Sequence, residues 1–313
     1  MGANACLNYF TMDNSTLYAF KSIAELMRYL KQPSPAHPLI SIMQYNSENV
    51  QIGTPGDRIS LDFYKVSFKT SFSGKIKYGQ SHYDFEDGGL AFIAPRQIVF
   101  TSDTKEAYEG YSLFFHPDFL RKYPLMNTIQ QYGFFHYSTS EALFLSAKEK
   151  KVVEALFNSI QEELNNNIDA FSQDILITQI EQLLAVSNRF YNRQFITQRV
   201  VNNDLIARME KILSDYFASE QLREGLPTVQ QIADSLHVSP HYLGDMLRSV
   251  TGQNTQQHIH SKVIEKAKEM LSVGNLTVAE VAYQLGFGQP QSFNKLFKRK
   301  TGVTPMEYRK SFN

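Results

Sequence analysis

The residues best equipped for chemistry lie near the C-terminus. At helical spacing, Gln291, Ser292, Lys295, Lys298 and Arg299 fall on one face, while Phe293, Leu296 and Phe297 fall on the other. Gln can make a paired contact to adenine, Lys can donate to guanine O6 and N7, and Ser can serve either base. Lys298, Arg299 and Lys300, at the end of the same stretch, suit phosphate oxygens. An earlier stretch has the same division: Leu243, Met246, Leu247 and Val250 are expected inside, and His241, Gly244, Asp245 and Arg248 outside. His241 and Asp245 are candidates for base edges, and Ser239 and Arg248 for phosphates. Asp245 could only accept, for instance from cytosine N4.

Other chemistries are poorly supplied. The histidines of the first half, His37, His82, His116 and His136, show no His-x-His spacing and no following Glu at a ligand interval. No metal and no cofactor are expected. No nucleophile-and-base pattern and no phosphate-binding glycine loop occur, so no catalytic residue is assigned. Tyr64, Phe68, Tyr78, His82, Tyr83 and Arg96 are candidates to line a small-molecule effector pocket, and each is equally suited to ordinary core or edge packing.

Two copies of one pattern position the C-terminal candidates. Thr228-Val229-Gln230-Gln231-Ile232-Ala233, Leu236, Leu243, Leu247 and Thr251-Gly252 recur as Thr277-Val278-Ala279-Glu280-Val281-Ala282, Leu285, Phe293, Phe297 and Thr301-Gly302. The front halves are offset by 49 positions and the back halves by 50, so one residue is added in the turn near Gly288. Thr228 with Gln231, Thr277 with Glu280, and Thr304 with Glu307 are helix-capping pairs, and Pro240 and Pro305 suit first helical positions. These marks predict helices over about 204–219, 228–236, 239–250, 255–273, 277–285, 290–300 and 305–312. The helix over 255–273 would be roughly 28 Å long at about 1.5 Å per residue. That is close to the ~34 Å between successive major-groove faces of a duplex.

The first half reads differently. Leu17 to Lys31 has helical spacing, ended by Pro33, Pro35 and Pro38. From residue 39 to about 116, short β-rich runs such as Ser60–Ser67, Lys75–Tyr78, Leu90–Ala94 and Tyr111–Phe115 suggest a small antiparallel barrel or sandwich. Ser146 and Glu149 cap a helix that Asn165-Asn166-Asn167 breaks, and a second long helix runs from about Ser172 to Gln194. Its stripe Leu176, Ile180 and Leu183 suits packing on the barrel, a homodimer seam, or both at once. Residues 196–203 are polar and read as a linker.

The chain has 313 residues and no net charge, which excludes a generic polyanion binder. From Ser239 onward, however, ten Lys or Arg face five Asp or Glu, a local basic segment. Cys6 is the single cysteine, so no intrachain disulfide can form. There is no apolar run long enough to span a bilayer and no signal pattern, so a cytoplasmic protein without membrane association is expected.

The segment Thr228–Arg309 resembles the DNA-binding domain of the AraC/XylS family of bacterial transcription regulators. The residues that carry the likeness include Val238-Ser239-Pro240-His241-Tyr242-Leu243, Leu285-Gly286-Phe287, Leu296-Phe297-Lys298 and Thr301-Gly302-Val303-Thr304-Pro305. The resemblance implies two helix-turn-helix units on adjacent major grooves and recruitment of RNA polymerase. Asp245 and Lys262 depart from it, since the family often has a basic residue at the first and Arg near the second. Residues 39–116 followed by helices at 146–194 resemble, in order and length, the cupin-like barrel and helical dimerisation pair that many members carry.

The expected fold is therefore α+β. It comprises a cupin-like sensory and dimerisation domain over 1–195, a linker over 196–203 and an all-α domain with two helix-turn-helix units over 204–313. The expected function is an activator, homodimeric, binding double-stranded DNA under control of a small-molecule effector. The rival readings are a cupin enzyme, with or without metal, and a protein-interaction adaptor with a helical scaffold.

Overall fold

The computed structural model describes residues 16–46, 52–54, 57–72, 75–78, 81–84, 88–100, 108–138, 141–166, 169, 171–272 and 276–311. The chain divides into two compact units. One draws on residues 1–74, 85–126 and 150–179, the other on 75–84, 127–149 and 180–313.

The first unit opens with strand β1 (Leu17–Phe20) and helix α1 (Ile23–Tyr29). The helix expected from Leu17 therefore begins six residues later. Ser22 caps α1 by accepting from the Glu25 N–H, which stops the helix from extending backward. Before that cap, Leu17 to Phe20 pair in parallel with β3 (Arg58–Leu61), Leu17 opposite Arg58. Sheet pairing thus overrides the helical spacing of residues 17–20. β8 (Ile98–Phe100) completes this three-stranded sheet.

β2 (Ile40–Asn46), β4 (Tyr64–Phe72), β7 (Gly89–Ile93) and β9 (Tyr108–Phe115) lie side by side in the order β7-β4-β9-β2. The expected run Ser60–Ser67 is two strands, β3 and β4, divided at Asp62-Phe63. Val66, Phe68, Leu113, Phe114 and Phe115 are buried at the centre of this sheet. Phe20, Ile23, Leu26, Met27, Leu61 and Phe63 form a core with Phe114. The expected closed barrel is not found among the described residues. The strands form separate sheets, and the β1–β3 pair is parallel, which a purely antiparallel meander does not contain. β5 (Lys75–Tyr78) and β6 (Ser81–Asp84) make a hairpin, Lys75 opposite Asp84.

α2 (Leu125–Thr128) follows, then the short strand β10 (Leu143–Phe144). α3 (Ala147–Asn165) and α4 (Ser172–Thr197) each contribute residues to both units. The Ser146–Glu149 cap is present: the Glu149 N–H donates to Ser146 Oγ, and Ser146 N–H donates back to the carboxylate at 2.8 Å. Leu176, Ile180 and Leu183 are buried within a single chain. Their stripe is already packed and is not a free dimer seam. The stretch 196–203 is helical on both sides of Gln198: α4 ends at Thr197 and α5 (Arg199–Ala218) begins two residues on.

The rest of the second unit is helical: α6 (Val229–Leu236), α7 (Pro240–Thr251), α8 (Thr255–Ser272), α9 (Val278–Gln284), α10 (Pro290–Thr301) and α11 (Pro305–Lys310). All three capping boxes form, at Thr228–Gln231, Thr277–Glu280 and Thr304–Glu307. Gly252 and Gly302 end α7 and α10 in the left-handed region, at φ of 75° and 82°.

Candidate nucleic-acid interface

The second repeat, α9–turn–α10, divides cleanly. Phe293, Leu296 and Phe297 are buried. The rings of Phe287, Phe293, Phe297 and Tyr308 follow one another at 5.4, 5.7 and 5.5 Å between centroids. That aromatic row fixes the rotation of α10 about its axis. Gln291, Ser292, Lys295, Lys298, Arg299 and Lys300 are consequently exposed. Gln291, Ser292 and Lys295 make no side-chain hydrogen bond or ion pair among the described residues. Gly286 makes the turn possible. Its φ is +78°, and a Cβ there would lie 2.5 Å from the Leu222 carbonyl oxygen.

α8 holds the two repeats at a set separation. Ile259, Val263, Ala267 and Leu271 are buried at four-residue spacing along it. Its 18 residues give roughly 27 Å at about 1.5 Å per residue. Lys262 and Lys266 pair with Glu265 and Glu269 on its exposed side, at 3.5 and 2.8 Å.

The first repeat, α6–turn–α7, has the same skeleton. His237 turns the chain at φ 58°, Ser239 caps α7 by accepting from the Tyr242 N–H, and Pro240 opens the helix. Leu243, Met246 and Leu247 are buried as expected, whereas Val250 is half-buried. Tyr242, not anticipated, is buried too, with its ring against Tyr137 and Phe195.

The outer face of α7 is engaged within the chain. Ser239 donates to the Glu141 carboxylate from both its N–H and its Oγ, each at 2.6 Å. Tyr137 Oη donates to Asp245 Oδ2 at 2.8 Å, and Arg248 donates to Asp245 Oδ1 at 2.8 Å. The His136 and His241 rings stack with centroids 4.6 Å apart. Glu141 is 2% exposed. Burial raises its pKa, although hydrogen bonds from Ser239 and Ser138 pull the other way. Burial, then the neighbouring Asp245, likewise raises the Tyr137 phenol, so it stays a donor. Burial lowers His136, and His241 adds to that.

A helix-turn-helix domain family matches residues 232–311. YobQ of Bacillus subtilis (strain 168), named an uncharacterized HTH-type transcriptional regulator, is 34% identical over 105 residues, 32% of this chain and 43% of its own length. YesN of the same organism, named an uncharacterized transcriptional regulatory protein, is 29% identical over 109 residues, 34% of this chain and 28% of its own. The HTH-type transcriptional activator RhaS of Salmonella agona (strain SL483) is 22% identical over 259 residues, 79% of this chain and 85% of its own. Residues 232–311 are thus a helix-turn-helix domain of the kind that AraC/XylS regulators carry. The chain spans less than half the length of the two Bacillus relatives.

Within this helix-turn-helix domain, both anticipated departures from the AraC/XylS pattern have local partners. Asp245 serves Tyr137 and Arg248, and Lys262 pairs with Glu265. The engagement of Ser239, His241 and Asp245 left no mark in residue spacing, because their partners sit about a hundred positions away. The pocket candidates scatter. Tyr64 stacks on Phe115, and Phe68 is buried against Tyr111 and Phe157. Arg96 has an 83% exposed side chain beside Asp62, so it lines no interior. The side chains of Tyr78, His82 and Tyr83 lie outside the described ones. A cleft of about 380 Å³ in the first unit is lined by other residues, among them Met27, Pro33, Ile42 and Gln161. His37 and His116 use their Nδ1 atoms to accept from the Leu39 and Asp118 N–H groups.

Proposed function

We propose that this protein is a sequence-specific DNA-binding transcription regulator that reads two adjacent major grooves with α7 and α10. The observation that carries this reading is the exposed face of α10. Gln291, Ser292 and Lys295 are exposed on it and have the chemistry to meet base edges, and Lys298, Arg299 and Lys300 follow at the basic end. On α7, His241 and Asp245 take the base-facing places and Ser239 and Arg248 the phosphate-facing ones. Binding weakens steeply with salt, since Lys and Arg displace counterions from the duplex.

In this reading the protein activates transcription from the cytoplasm, recruits RNA polymerase and answers to a small-molecule effector. The activator role is supported by the name of RhaS, whose likeness extends through both halves of the chain. No helix among the described residues is long and apolar enough to cross a membrane. A homodimer would bury a surface other than the Leu176, Ile180 and Leu183 stripe.

Selection from a random duplex pool, followed by footprinting on the enriched sequence, tests the reading. An enriched motif with protected major-groove positions is the expected result. Enrichment of nothing at low salt would refute it and favour a protein-interaction scaffold.

A further inference from the structure

The two repeats can be compared position by position. At the 50-residue offset, His241 corresponds to Gln291, Asp245 to Lys295 and Arg248 to Lys298. The α10 members of these pairs are exposed. On α7, Asp245 accepts from Tyr137, His241 lies under His136, and the capping Ser239 is held by Glu141. All three contacts come from His136, Tyr137 and Glu141, close together in sequence, and all fall on the side of α7 that corresponds to the open face of α10.

The chemistry of the contact resembles that of the ligand it would displace. A helix N-terminus presents N–H groups and partial positive charge, and a phosphate oxygen is its natural guest. Here the guest is the Glu141 carboxylate, which accepts the Ser239 N–H and hydroxyl. The carboxylate is itself fixed by the Ser138 N–H at 2.8 Å. The backbone also comes close: a Cβ built on Gly133 would lie 2.1 Å from Asp245 Oδ2. A phosphate cannot take the Ser239 N–H and hydroxyl while Glu141 holds them.

We propose that residues 133–138, with Glu141, form an autoinhibitory clamp, in which Glu141 stands in for a DNA phosphate and Tyr137 and His136 engage the reading face of α7. The inference rests on the DNA-reading role assigned above. In the clamped chain α10 alone is available to DNA. Release of the segment adds the second reader and with it further phosphate contacts.

Gly133→Ala and Tyr137→Phe test this in the full chain. The first wedges a methyl group against Asp245. The second deletes the hydrogen bond while keeping the ring that packs on Tyr191 and Tyr242. His136→Ala, at an exposed position, gives a third variant that leaves the core untouched. The probe is a fluorescent random-sequence duplex, titrated at several salt concentrations, with Lys295→Ala in each background. A clamp closed nine-tenths of the time reduces affinity roughly tenfold. Folded opening variants should therefore bind up to about tenfold tighter, with a steeper loss of affinity as salt rises. Unchanged affinity and slope in two folded variants, while Lys295→Ala still weakens binding, overturns the clamp and leaves the DNA reading intact. Absence of binding by the parent chain and every variant at about 50 mM salt overturns both.

Discussion

Tyr137 Oη donates a 2.8 Å hydrogen bond to Asp245 Oδ2 across 108 positions of sequence. The bond gives a reason for an acid on a helix face that otherwise suits DNA. A carboxylate there repels phosphate, yet it is an effective acceptor for a buried phenol. The same carboxylate holds Arg248, so a candidate phosphate contact is tied up by the residue beside it.

Replacing Asp245 with Asn should loosen both partners and free Arg248. The Arg248–Asp245 pair is partly exposed, and such pairs are worth about 0–1 kcal/mol, while Asn keeps an acceptor oxygen for the Tyr137 hydroxyl. Fold stability should change by no more than about that amount, while affinity for duplex DNA rises several-fold. A large loss of thermal stability with no gain in binding would contradict this.

Lys295→Ala should cost about 1–3 kcal/mol of binding and relax preference at one base pair. Lys300→Ala should instead weaken all sequences equally and reduce the salt slope by about one. Competition titrations with single-base operator variants separate the two. Equal loss on every sequence would make Lys295 a phosphate contact.

The core of the second repeat rests on Phe293, which is fully buried among Phe287 and Phe297. Phe293→Ala should cost about 3–5 kcal/mol, enough to unfold this half of the domain. Thr277→Ala, which removes only a cap, should cost about 1 kcal/mol. Circular dichroism melts check both, and a Phe293→Ala melt matching the parent would contradict the packing described.

These C-terminal features were legible in the sequence because caps and helix faces are local. Thr228 and Gln231 are three residues apart, and so are Thr304 and Glu307; each pair states its helix start without reference to anything distant. The N-terminal half depends on pairings that spacing does not reveal. Leu17 to Phe20 have helical periodicity yet join β3 some forty residues away. The Leu176–Ile180–Leu183 stripe announces burial but not which surface buries it. Glu141 and Ser239 lie 98 positions apart, so the engagement of α7 could be seen only in three dimensions.

Lys65 provides a pH-dependent check on the first unit. Burial, with Lys69 nearby, lowers its pKa to about 8. The folded state therefore binds this proton less readily than the unfolded chain, whose Lys titrates near 10.4. By linkage, Lys65 disfavours folding at neutral pH, and the penalty fades as pH rises from about 8 toward 10.4. Lys65→Met should raise the urea midpoint at pH 7 and give a smaller gain at pH 9.5. An equal gain at both values would show that the effect is packing rather than charge.

The central claim is that two helices read neighbouring grooves on one side of a duplex. Missing-contact footprinting with the Tyr137→Phe chain, in which the clamp is opened, tests it most directly. The account predicts two clusters of required major-groove bases about 10 base pairs apart on one face, with the requirement at one base pair of one cluster relaxed in Lys295→Ala. A single cluster, or two on opposite faces, would contradict it.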